Sequence, residues 1–150
     1  MNYDIAKEWL NRGKNETEIV YRFICFYIAF NSLYDQEKQR WEYERVSSFI
    51  KKYMERNPFY NPSSLMHSKE WSKDIKNVRD GNVKSYIRNE SNQKNKLFMS
   101  IYQIRCNLFH GSKSMYYKRN VDLIQDSANI LEDLLTRIIT KESQGETNAS

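Results

Sequence analysis

The chain has 150 residues, 39% of them hydrophobic, with only four glycines and two prolines, which implies one domain around a single core and excludes a loop-rich or low-complexity chain. Lysine and arginine number 24 against 19 aspartates and glutamates, a formal charge of +5, so polyanionic partners are favoured over acidic-patch chemistry. Two cysteines, Cys25 and Cys106, exclude a disulfide framework and point to a reducing, cytoplasmic setting; the opening "MNYDIAKEWLNRGKN" has no secretory pattern and "FICFYIAF" is too short to span a bilayer.

From about Tyr3 to Asn11, Ile5 and Trp9 stand at helical spacing, and Gly13 is the expected end of a short amphipathic helix. Asn15 followed by Glu18 reads as a capping box opening "EIVYRFICFYIAFNSLYDQ", which is apolar nearly all round and therefore the expected central helix. Val46, Phe49, Ile50 and Tyr53 mark a third helix between about Trp41 and Arg56, stopped by the Asn-Pro pairs of "NPFYNPSS". Leu65 to Asn89 reads as a polar insertion with helical pieces, including a short helix through Trp71, Ile75 and Val78 and a turn at Asp80-Gly81. From about Gln93 a stripe of Leu97, Ile101, Ile104 and Leu108 returns, with Gly111 as the C-terminal cap. The last helix runs from about Arg119 to Thr140 on Ile124, Ala128, Leu131, Leu135 and Ile138. The expected fold is all-α, a bundle of about five to six helices over residues 1–141, with a disordered polar tail at 142–150. No solenoid repeat and no glycine-rich phosphate loop is visible.

The stretch "IRCNLFHGS", Ile104 to Ser112, carries an arginine, an asparagine and a histidine just where an apolar helix reaches a glycine. No acidic residue occurs from Ser91 to Val121, whereas Lys94, Lys96, Arg105, Lys113, Lys118 and Arg119 all do. Arg105 lies beside the apolar stripe, flanked by Tyr102 and Phe109, so its guanidinium is expected to be half covered. Asn107 and His110 are three apart and read as one face directed away from Leu97, Ile101 and Leu108. Five residues separate Arg105 from His110 by roughly 140° around a helix and about 7 to 8 Å along it. Convergence on one atom therefore needs the helix to end at His110 or a two-fold partner to supply half of the site. The residue types suit work on RNA: histidine moves protons near neutral pH, arginine forks onto phosphate and asparagine orients either. The plain alternative is a histidine that bonds the last carbonyls of its helix.

Other candidates are subsidiary. Asn31, on the central helix, needs a partner, for which Arg105, Asn107 or nearby backbone is available. Lys113, Tyr116, Tyr117, Lys118 and Arg119 mix rings and cations in a way that suits stacking on bases and gripping phosphate. Cys106 and His110 are half of a zinc spacing, but only His67 and Cys25 remain to complete it, so neither a metal nor a cofactor is expected.

With "FICFYIAFNSLYDQ" on an early helix and "IRCNLFHGS" much later, the chain resembles the HEPN domain family, whose signature is an arginine, four to six residues, then a histidine; Arg105 and His110 fit with four between. Cys106 departs from the Asn, Asp or His that many members carry after the arginine, with Asn107 one place later. Ser112 departs from the tyrosine of the toxin subgroup paired with a nucleotidyltransferase. The resemblance implies a toxin- or defence-like, metal-independent endoribonuclease. Its composite site would lie at a homodimer interface, and attack by the 2′-hydroxyl would leave a 2′,3′-cyclic phosphate. His110 would be general acid or base, Arg105 the phosphate clamp and Asn107 an orienting group. The rivals are a non-catalytic RNA- or nucleotide-binding and dimerisation module, and a protein-interaction adaptor with a neutralising partner.

Overall fold

The computed structural model describes residues 1–73, 75–76, 83–84, 93–110 and 113–149, with the side chains of 76, 83–84, 93, 113–116, 119 and 146–149 set aside. Five α-helices follow in order: α1 (Asp4–Lys14), α2 (Ile19–Tyr34), α3 (Glu42–Arg56), α4 (Gln93–His110) and α5 (Lys113–Ala149). The fold is all-α. Its one β feature among the described residues is an antiparallel pair of two-residue strands, β1 (Ile75–Lys76) and β2 (Val83–Lys84), with Ile75 opposite Lys84.

Helix α2 is the hub because its apolar residues surround it on every side, as the sequence implies. It packs on α1, α3 and α5, while α4 packs on α3 and α5. Phe23, Phe26, Phe30 and Leu33 of α2 are essentially inaccessible, together with Ile50, Phe98, Ile101, Ile104, Ile124 and Leu131 from the surrounding helices. The Phe30 ring alone meets Tyr34 at 5.0 Å, Phe98 at 5.9 Å and Phe49 at 6.0 Å between centroids. Each such side chain contributes about 1.5–3 kcal/mol by leaving water.

Several boundaries differ from the sequence reading, each for a local reason. Gly13 does not end α1; the helix runs through it to Lys14, and Gly13 is buried. Its value is its missing side chain, since an added Cβ would stand 2.4 Å from Cε1 of Phe26. Asn15 bonds back to the Asn11 carbonyl instead of forming a capping box, and Glu18 caps α2 itself, its carboxylate accepting the Tyr21 N–H at 2.8 Å.

Beyond α3 the chain makes two 3-10 turns, Pro62–Leu65 and Lys69–Ser72. No helix joins Trp71 to Ile75: Trp71 belongs to the second turn and Ile75 to β1, while Val78 and Asp80-Gly81 lie outside the described residues. Asp126 on α5 ties this stretch down: its Oδ2 accepts the backbone N–H of His67 and Ser68 at 2.8 and 2.7 Å and the Trp71 indole N–H at 2.8 Å, which fixes the second turn against α5.

Helix α5 consists of two helical runs joined across a kink at Asn120, whose φ of −127° and ψ of 24° are not helical; the long run starts beside Arg119, as the sequence implies, and a shorter one from Lys113 precedes it. Helical backbone continues to Ala149, and Glu142 reaches the Lys7 ammonium at 3.0 Å. Among the described residues, no helix is long and apolar enough to cross a membrane.

Candidate functional site

The last two turns of α4 carry the candidate residues. Arg105 points to the seam where α2, α3 and α4 meet, because its position beside the apolar stripe aims a long side chain along the protein rather than into water. Its Nη1 lies 3.2 Å from Oε1 of Glu42, the first residue of α3, and 3.9 Å from the Cys106 sulfur. The guanidinium also sits over two rings, with Cζ 5.1 Å from the Tyr27 centroid and 5.7 Å from that of Phe109.

Glu42 is fixed in turn. The Tyr34 hydroxyl donates to the same Oε1 at 2.7 Å, and the Tyr34 and Tyr27 hydroxyls bond each other at 3.0 Å. Tyr27 and Tyr34, seven apart on one face of α2, are buried; Glu42 and Arg105 keep 29% and 24% of their side-chain surface. The four residues close a loop: ring, guanidinium, carboxylate, hydroxyl, hydroxyl.

Burial pushes the Tyr27 and Tyr34 phenols well above the ordinary tyrosine range, with the Tyr27 hydroxyl and the Glu42 carboxylate adding to it at Tyr34. Burial also leads the rise at Tyr102, with Cys106 next. For Arg105 burial disfavours the charge, but Tyr27, Glu42 and Tyr34 outweigh it and raise its pKa. With both tyrosines neutral at physiological pH, Glu42 is the charge that answers the guanidinium.

His110 is the last residue of α4 and is exposed. Since α4 is continuous from Arg105 to His110, the two side chains leave it in different directions, one to the interior seam and one to solvent. Gly111 and Ser112 lie outside the described residues.

Asn107 corrects the sequence reading. It does not share an outward face with His110; it is fully buried, and its Oδ1 accepts the Gln103 side-chain N–H at 2.8 Å. Helix α4 is covered by both α3 and α5, so its buried arc is wider than the leucine and isoleucine stripe and takes in Ser100, Gln103 and Asn107. Asn31 is half-exposed, and among the described residues no hydrogen bond joins its side chain to Arg105, which pairs with Glu42, or to Asn107, which accepts from Gln103. Tyr117 leans on the core and Lys118 is exposed; the side chains of Lys113, Tyr116 and Arg119 lie outside the described residues. No cluster of three or more metal-ligating side chains occurs among the described residues.

Glu42, Tyr27 and Tyr34 were not singled out from the sequence, although one signal was there: two tyrosines in an otherwise apolar central helix bring hydroxyls that must find partners inside. No family model matches the chain, and no curated protein or solved structure matches it significantly.

Proposed function

We propose that the protein is a metal-independent endoribonuclease of HEPN type, with a composite site formed by two copies of α4. The observation that carries this reading is an arginine seated by an interior network with part of its surface open, one and a half turns before an exposed histidine that ends the same helix. Arg105 would hold the scissile phosphate and the charge that builds on it, and His110 would move the proton of the 2′-hydroxyl or of the leaving 5′-oxygen. Because the two side chains diverge along one helix, the second copy supplies the complementary half. Asn107, buried against Gln103, would act on the helix that carries both groups.

Incubating the protein with RNA in excess EDTA, beside His110→Ala, tests this. The expected result is new RNA ends bearing a 2′,3′-cyclic phosphate with the parent chain and none with the variant, both folded and of equal size in solution. Cleavage retained by His110→Ala would reject the assigned role. A binding-only module is the second reading, favoured by the ion pair that already answers the Arg105 charge; it predicts salt-sensitive RNA binding without new ends.

A further inference from the structure

We propose that Glu42 is the positioning residue of this site: it fixes the Nη1 side of the Arg105 guanidinium and thereby presents the opposite, Nε–Nη2 edge to a phosphate. The inference rests on the nuclease reading for its kinetic consequence and on geometry alone for the seating of the arginine.

A guanidinium has five donors in one plane, and a phosphate is gripped best by two parallel donors along one edge. Both polar contacts of Arg105 among the described residues, to Glu42 and to Cys106, use Nη1, so they occupy one end of that plane and leave the other edge for a ligand. Two further constraints fix the plane itself. The Tyr27 ring, 5.1 Å from Cζ, limits its tilt, and the Glu42 oxygen, tethered at 2.7 Å by Tyr34, limits its rotation. Tyr34 is held at 3.0 Å by Tyr27, so the same tyrosine supplies both the ring under the guanidinium and the anchor of the carboxylate chain.

A purely structural ion pair would look different. Glu42 and Arg105 retain 29% and 24% of their side-chain surface, so the pair stays partly open to a ligand, which a fully buried structural pair does not. The buried members of the loop are neutral phenols, bonded to each other and, through the Tyr34 hydroxyl, to the Glu42 carboxylate. What Glu42 adds is direction: it turns a flexible side chain into one that meets a phosphate in a single orientation, which lowers the ordering that binding the transition state demands.

Glu42→Gln keeps the shape and an oxygen for Tyr34 while removing the charge. The expected result is a fall in kcat of about tenfold to a hundredfold with KM changed less than about threefold, since misorientation acts mainly at the reacting centre. Glu42→Asp, which retains the charge on a shorter stem, should recover part of the loss. A second arm reads the guanidinium directly by ¹⁵N NMR, its signal assigned with Arg105→Lys. The parent should give an exchange-protected Arg105 Nη1 signal, held by Glu42, and an Nε–H that shifts on addition of inorganic phosphate, and in Glu42→Gln both the protection and the shift should be lost. An Arg105 signal unchanged by Glu42→Gln overturns the proposal, as does an unchanged kcat in an active variant. If the parent leaves RNA intact, the nuclease reading falls and the NMR arm alone decides whether Glu42 seats the arginine. Should Glu42→Gln fail to fold, Tyr34→Phe takes its place: it cuts the tether but spares the ion pair, and it must broaden the same Nη1 resonance for the proposal to stand.

Discussion

Three donors converge on one oxygen of Asp126, a carboxylate only 4% exposed, and two of them are backbone groups of the strap that follows α3. Removing the carboxylate leaves those donors without their acceptor in a poorly hydrated place, so Asp126→Ala should cost roughly 3 kcal/mol, read as a lower urea midpoint. Arg105 illustrates the opposite economy of a residue that stays partly open. Arg105→Lys keeps a cation near Glu42 but loses the planar fork and the face that lies on Tyr27. RNA binding should survive at low salt while turnover falls at least about tenfold, measured as single-turnover cleavage. An unchanged rate would mean that charge alone suffices.

Helix contacts set limits that single positions do not reveal. Helices α1 and α2 approach so closely at Gly13 that the Phe26 ring fills the place of a side chain. Gly13→Ala is favourable for an isolated helix by up to about 1 kcal/mol, yet here it must push Phe26 aside, so a net loss of about 1–3 kcal/mol is expected in chemical unfolding. The course of the helices was legible in the sequence wherever one apolar stripe faced one core, as in the Val46, Phe49, Ile50 and Tyr53 run of α3. Reading failed where a contact from elsewhere overruled the local signal. Gly13 resembles a stop but serves close packing, and Trp71, spaced from Ile75 as if on one helix, is instead tied through its indole to Asp126 of α5. The candidate site divides in the same way. Arg105 and His110 stand out by type and spacing, and a half-covered guanidinium followed from its neighbours at i−3 and i+4. Its true counter-ion is distant in sequence and Asn107 is drawn inward by the two helices covering α4, neither of which one helix's periodicity can express.

Across the whole molecule, buried phenols tie stability to alkaline pH. Burial raises the folded-state pKa of Tyr27, Tyr34 and Tyr60 above the value of about 10 that an unfolded tyrosine has. The folded chain thus holds these protons where the unfolded chain releases them, so the stability they support is complete below about pH 10 and declines as pH rises beyond it. Melting temperature followed between pH 8 and 11 should fall steeply at the upper end, and Tyr34→Phe should flatten that fall while lowering stability at neutral pH. An equal slope in both proteins would place the alkaline sensitivity elsewhere. The four-residue loop also has a temporal consequence. Tyr27, Tyr34, Glu42 and Arg105 belong to three helices separated by a long stretch of chain, so during synthesis the first three leave the ribosome well before the arginine they are to hold. A chain interrupted before α4 therefore carries both tyrosines and the carboxylate without the guanidinium that they seat.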